Sequence, residues 1–240
     1  MFKFSDNVPQ IINPEKAHMA CLFLVDTSGA MAGEQINDTL KALNTLRDEI
    51  KKNKSLCEVL DVAVVEFNSS VHVVQEFVPV EYMEPIYLTT YGVSDMNSGL
   101  ITAVDKILER LRIYRRMGTI PYVPWIMLIT NGGWPVTPIE DIANEISELE
   151  SKGILRLWMI RTKGSQLEHI RNLGLSKRVL SLDKNFLIKM FFDLLRSPGD
   201  GKYYEKDSQG NYVLMRRERH SQELPSHIGV DDWIDDEDWF

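Results

Sequence analysis

The chain has 240 residues, 44% of them hydrophobic, with two cysteines and a formal net charge of −8. That length and apolar share suit one generous domain with an appendage, or two small domains, with a core large enough to need no disulfide staples. The charge makes nucleic acid a poor default partner, and no run nears the roughly 18 apolar residues of a membrane span.

Residues 1–17 contain no basic segment followed by an apolar one, so the expectation is an N-terminal arm without a signal peptide, on a cytoplasmic protein. Cys21 lies in an apolar run and reads as a small buried hydrophobe. Cys57 stands alone, and the sequence leaves a disulfide open. The apolar run 21–25 predicts a first strand. It stops at Asp26 and is followed by the small residues Thr27, Ser28, Gly29 and Ala30. Ile36, Leu40, Leu43, Leu46 and Ile50 then recur at helical spacing. Valine-rich residues 58–67 predict a second strand, Asn68-Ser69-Ser70 a turn, and residues 71–77 the antiparallel return of a hairpin. Residues 78–92, with Pro79 and Pro85, are irregular.

Leu100, Ile101, Val104, Ile107, Leu108, Leu111 and Tyr114 mark a second long helix. Residues 124–130 predict a strand ending at Asn131-Gly132-Gly133, and residues 139–149 a helix with Thr137 as N-cap ahead of Pro138. A strand over 154–160, a short helix over 166–173, a short strand over 178–182 and a helix over 186–195 complete the pattern. The composition changes at Ser197: residues 197–201 form a linker and 202–217 a small hairpin. Residues 231–240, "DDWIDDEDWF", carry six acids and no base.

This alternation predicts an α/β fold: a Rossmann-like three-layer sandwich whose mostly parallel sheet has one antiparallel strand, followed by a C-terminal extension. The expected divisions are an arm at 1–17, a domain at 18–196 and an extension at 197–240. In such sheets ligands sit beyond the carboxyl ends of the strands, where strand order reverses. Asp26–Ala30 and Asn131–Gly133 are expected there.

The run "FLVDTSGAMAG" with its following helix resembles the start of a von Willebrand factor A domain. "YVPWIMLITNGG" is similar to that family's strand ending in threonine-aspartate-glycine, and residues 92–118 look like its middle loop and helix. The match spans roughly residues 18–196 and is closest to compact bacterial proteins encoded beside tellurium-resistance and stress genes. The resemblance implies a metal-ion-dependent adhesion site: aspartate and two serines at alternate positions, a threonine from a middle loop and an aspartate from a later strand end, around magnesium. Asp26 and Ser28 match the first two positions, and Ala30 stands where the second serine should be. Ser94 matches the threonine, and Asn131 replaces the later aspartate. Asp95 is positioned to compensate in part, and to face a partner. The expectation is a degenerate site with no cofactor or weakly bound magnesium. The bland alternative is that Asp26 and Ser28 only cap the helix beginning near Gly33 and satisfy loop amides. On either reading Asp26 sits outside the core, and its loss should cost roughly 1 kcal/mol, as a cap does.

Enzyme signatures are lacking. The five histidines do not cluster, and no nucleophile elbow, phosphate loop or metalloprotease motif is present. His72 reads as an edge-strand residue. The arginine-rich stretch 109–118 reads as a solvated helix end complementing the helix dipole, with a nucleic-acid patch as the alternative. The leading expectation is therefore a non-catalytic protein-binding module, a scaffold or regulator in a stress-response or defence system, with kinase-like or phosphatase-like partners. The other reading is a metal-dependent phosphoesterase or nuclease using Asp26. Trp233, Ile234, Trp239 and Phe240 are costly to leave in water among so many acids, and read as an anchor for a partner or for the chain's own arginine-rich helix, the alternative being an acidic tail that aids solubility.

Overall fold

The computed structural model describes residues 10–133, 138–165, 171, 173–176 and 178–182, and the backbone of Lys202–Lys206 and Tyr212–Arg216. The chain divides into two compact units, Met1–Lys184 and Asn185–Phe240, the break falling earlier than the composition change at Ser197. The expected helices over 166–173 and 186–195, and the Thr137 cap, fall on residues outside that description, apart from helical Arg171 and Leu173, which lies in a turn.

In the first unit β1 (Met19–Asp26), β2 (Leu60–Phe67), β3 (Val71–Pro79), β4 (Trp125–Thr130), β5 (Arg156–Arg161) and β6 (Val179–Ser181) form one sheet, ordered β3-β2-β1-β4-β5-β6. All pairings are parallel except β2–β3, the antiparallel hairpin. Every residue of β1 is buried, which is why it reads as an unbroken apolar run and not as an alternation. The chain moves from β1 outward to β2 through α1 (Glu34–Lys51), then returns across β1 to β4 through α3 (Met96–Met117). Right-handed crossovers in opposite directions place their helices on opposite faces. α3 and α4 (Glu140–Ser151) accordingly cover one face, where Leu22, Leu24, Val65, Phe67 and Leu128 join Leu100, Ile107 and Ile146 in a single core cluster.

Local signals account for the helix ends. Asp95 caps α3, its Oδ1 accepting from Ser98 N at 3.3 Å. Gly118 ends it in the left-handed region at φ 71°, with Thr119 N closing onto Tyr114 O. A short helix, α2 (Lys54–Cys57), is absent from the sequence reading. Asn53 builds it by accepting from Leu56 N. α4 begins at Glu140, with Ile139 as its flanking residue. Cys21 and Cys57 are both buried free thiols, which settles the open disulfide question, and burial raises the Cys21 thiol far above its ordinary range.

α3 packs tightly on β2 at Gly99, where an added Cβ would lie 2.8 Å from Phe67 Cγ and 3.0 Å from Phe67 Cβ. Gly99→Ala should gain helix propensity of about 1 kcal/mol yet force the helix off the sheet. Overpacking of this kind costs about 1–3 kcal/mol. A net loss of stability in urea unfolding is the expected result.

In the second unit β7 (Lys202–Lys206) and β8 (Tyr212–Arg216) pair antiparallel, from Lys202 opposite Arg216 to Lys206 opposite Tyr212. This is the hairpin expected over 202–217.

Candidate ligand face at the strand switch point

The sheet reverses order between β1 and β4, and register places their ends side by side: Val25 pairs with Ile129, so Asp26 and Thr130 are level, while Asp26 also pairs with Phe67. Three loops converge there. Asp26 Oδ1 accepts from Ser28 N at 2.9 Å; Asp26 Oδ2 accepts from Thr130 Oγ1 at 2.8 Å and from Ser94 Oγ at 3.5 Å. Asp26, Thr27, Ser28, Ser94 and Thr130 are all buried. Burial raises the Asp26 carboxyl above its ordinary value, against opposing hydrogen bonds from Ser28, Thr130 and Ser94.

The expected group is thus assembled, with additions and corrections. Thr130, unremarked in the sequence reading, makes the shortest side-chain bond to Asp26. Its hydroxyl also accepts from Gly132 N at 3.1 Å. Thr27 and Asn68 form a second buried pair, Asn68 Nδ2 donating to Thr27 Oγ1 at 2.9 Å. Ser28 does not cap a helix by its side chain: it precedes a short 3-10 turn, Gly29–Met31, and α1 follows Gly33, where no side-chain cap exists. Asp26 is wholly buried, which corrects the view of it as a residue outside the core. Asp95 caps α3 through both carboxylate oxygens, Oδ2 accepting from Ser98 Oγ at 2.8 Å. Trp233, Ile234, Trp239 and Phe240 lie outside the described residues.

The loops are stitched by main-chain bonds. Tyr91 N donates to Thr27 O, Gly29 N to Gly92 O, and Asp95 N to Asn68 O, at 3.0, 3.0 and 2.8 Å. Asn131 crosses between the remaining two loops, its Nδ2 donating to Ala30 O at 2.8 Å and its Oδ1 accepting from Gly133 N at 2.9 Å. The rim carries exposed residues: Tyr91 and Val93 are 47% and 53% exposed. Beside them Ser70 Oγ lies 2.9 Å from His72 Nε2 and 3.0 Å from Tyr91 Oη, so His72 is the edge-strand residue expected.

These loops sit on a fold shared with solved structures. The vWF domain of the type V pili tip protein Mfa5 from Porphyromonas gingivalis aligns with a TM-score of 0.52 at 9% identity, covering 80% of this chain and 99% of that one. A von Willebrand factor type A protein from Catenulispora acidiphila aligns with a TM-score of 0.53 at 17% identity, covering 78% and 44%. The fold is the von Willebrand A fold. Manganese-loaded Plasmodium vivax TRAP protein also shares it, with a TM-score of 0.53 at 18% identity over 83% of this chain and 76% of that one. The chain spans only 30% of the pilus adhesin SpaC from Lactobacillus rhamnosus GG, which it also matches. No family model matches the sequence, and none of the curated proteins matches it.

A von Willebrand A fold implies a divalent cation at these loops, but the donor set does not fit one. Magnesium takes about six oxygens and favours carboxylates. Here Asp26 is the one carboxylate of the matched positions facing the crossing, and both its oxygens already accept protein hydrogen bonds. Ala30 has no side-chain oxygen, and Asn131 has its oxygen on Gly133 N. Among the described residues no group of three or more His, Cys, Asp or Glu is placed to hold a metal ion.

A different polar cluster lies at the other end of the strands. Asp61 Oδ2, buried in β2, meets His18 Nδ1 at 3.0 Å, Arg110 Nη2 at 3.0 Å and Tyr114 Oη at 2.5 Å. Arg110 Nη2 also donates to Gln10 O at 2.5 Å, and His18 Nε2 lies 3.3 Å from Asn13 O. Arg110 is therefore no solvated dipole partner: it is buried at 2% exposure and ties the N-terminal arm to the sheet. Arg115 and Arg116, in the last turn of α3, keep the expected place.

Proposed function

We propose that this chain is a non-catalytic protein-protein interaction module with a degenerate adhesion site. In this reading it is a scaffold or regulator in a bacterial stress-response system of the tellurium-resistance kind, or in a defence system. It acts in the cytoplasm, with kinase-like or phosphatase-like partners. That setting rests on the sequence resemblance and the low cysteine content. Among the described residues no helix is long and apolar enough to cross a membrane.

The observation that carries the binding role is the inversion of polarity at the switch point. The carboxylate is sealed and bonded below, while Tyr91 and Val93 stand exposed on the loop beside it, which bonds to Thr27 through Tyr91 N and to Asp26 through Ser94. A general base must reach its proton within hydrogen-bond distance of substrate, and a carboxylate with both oxygens engaged is poorly placed for that. Exposed aromatic and apolar residues around a loop rim instead suit a docking surface. Solved proteins of this fold named as a pilus tip protein and a pilus adhesin agree with a binding role.

The test uses partners captured from the native host, purified and titrated against the full chain. Val93→Glu should weaken binding by roughly 30-fold, the equivalent of about 2 kcal/mol for a hot spot, while leaving thermal stability unchanged. Hydrolysis of a phosphodiester or phosphomonoester by the purified chain, lost in Asp26→Asn, would establish the phosphoesterase or nuclease reading in its place.

A further inference from the structure

We propose that the Asn131 carboxamide does the structural work of a cation in this chain: it clasps the loop after β1 directly to the loop after β4, so the face is closed without metal. The inference concerns how the face is held together and is independent of which partner docks on it.

Two contacts fix the orientation of the amide. Its NH2 meets a carbonyl, Ala30 O, and its oxygen meets an N–H, Gly133 N. Turning it over would set oxygen against oxygen and N–H against N–H, so both neighbours select the same arrangement. The amide therefore directs a partial positive charge across the crossing, toward the loop that begins with Asp26. The two departures from the adhesion pattern also act together. Ala30 contributes no hydroxyl, and its carbonyl is the group that Asn131 takes. The remaining crossings are direct as well: Gly29 N to Gly92 O, Tyr91 N to Thr27 O, and Asp95 N to Asn68 O. The loop after β1 is thus bonded directly to the loop after β4 and to the loop ahead of α3, while Asp26 Oδ2 links Ser94 of the latter to Thr130 at the end of β4, so the link a shared cation would supply is made by protein groups.

The experiment is thermal unfolding of the full chain in millimolar magnesium and in EDTA, with manganese titration followed by electron paramagnetic resonance. Wild type should melt at the same temperature in both buffers and should leave the free manganese signal intact. The double variant Ala30→Ser with Asn131→Asp should melt lower in EDTA, because a carboxylate then faces the backbone carbonyl of residue 30. Magnesium should restore about 3–6 °C for a tenfold excess over its dissociation constant. Asn131→Ala, which removes the clasp without adding charge, should melt lower in both buffers with no response to magnesium, and it serves as the test if the double variant does not fold. A wild-type magnesium shift of the size given for the double variant, or manganese bound by wild type, overturns the proposal. So does an Asn131→Ala melting temperature equal to that of wild type.

Discussion

Asp61→Ala is expected to cost about 3–5 kcal/mol, the range for removing one partner from a buried ion pair. The carboxylate is the hub of its cluster: His18, Arg110 and Tyr114 all converge on Oδ2. Without it, the Arg110 guanidinium stays buried with its charge uncompensated. The whole cluster is not therefore worth that amount. Asp61 Oδ1 and Arg110 Nε have no hydrogen-bond partner among the described residues, and incompletely satisfied buried pairs are often replaceable by apolar side chains at little or no loss. Asp61→Leu combined with Arg110→Met should thus be less damaging than Asp61→Ala, since no charge is left buried alone, although it still deprives Tyr114 Oη and His18 Nδ1 of their acceptor and frees the arm residues that Arg110 holds. The acid limb gives a second readout. Burial raises the Asp61 carboxyl, but His18, Arg110 and Tyr114 outweigh it and leave the value below the ordinary one. For a depressed carboxyl, the stabilisation is fully present above the unfolded-state value and is lost as pH falls through the folded-state value. Urea unfolding of wild type should weaken over that acid window, and the double variant should lose this contribution. An Asp61→Ala midpoint close to wild type would mean that the cluster is solvated and the arm loosely held.

The sheet was legible because burial writes itself into periodicity. Residues 21–25 and 125–129 are unbroken apolar runs, and both lie at the centre of the mostly parallel sheet. The hairpin and the α3 stripe were legible for the same reason. Asp26 and Ser28 meet because they are two residues apart in one loop, and Ser94 joins them because main-chain bonds hold its loop against the loop after β1. Thr130 was overlooked because a threonine at a strand end is an ordinary β residue, and only the register beside Asp26 gives its hydroxyl a purpose. The Asp61 cluster had a signal that went unused: an aspartate inside "EVLDVAVVEF" is a charge in a buried strand, and such a charge needs a partner. Arg110 sits between Ile107 and Tyr114 on the buried stripe of α3, so helical spacing could have removed it from the solvated arginines. α2 was beyond reach of periodicity, since four residues hold little more than one turn.

Burial also changes what Asp26→Ala should do. A surface cap would cost roughly 1 kcal/mol. Asp26 is instead at 0% exposure, and alanine would leave Ser28 N and Thr130 Oγ1 without their acceptor. A buried group left unsatisfied costs about 1–3 kcal/mol, so the expected loss is about 2–4 kcal/mol. Asp26→Asn should lose less. Its amide oxygen can still accept from Ser28 N, and Thr130 Oγ1, which already accepts from Gly132 N, has a second lone pair for the new N–H. The pH dependence runs opposite to that of Asp61. Because burial raises the folded-state carboxyl, the folded protein holds its proton more tightly than the unfolded chain. The stabilisation is fully present below the unfolded-state value and falls as pH rises through the folded-state value. Asp26→Asn cannot ionise, so its stability relative to wild type should improve as pH rises through that window. Denaturant midpoints of wild type, Asp26→Ala and Asp26→Asn, taken from acid to neutral pH, measure all of this together. An Asp26→Ala chain as stable as wild type, with no change of slope in Asp26→Asn, would make Asp26 a solvated loop residue and return it to the exposed binding face.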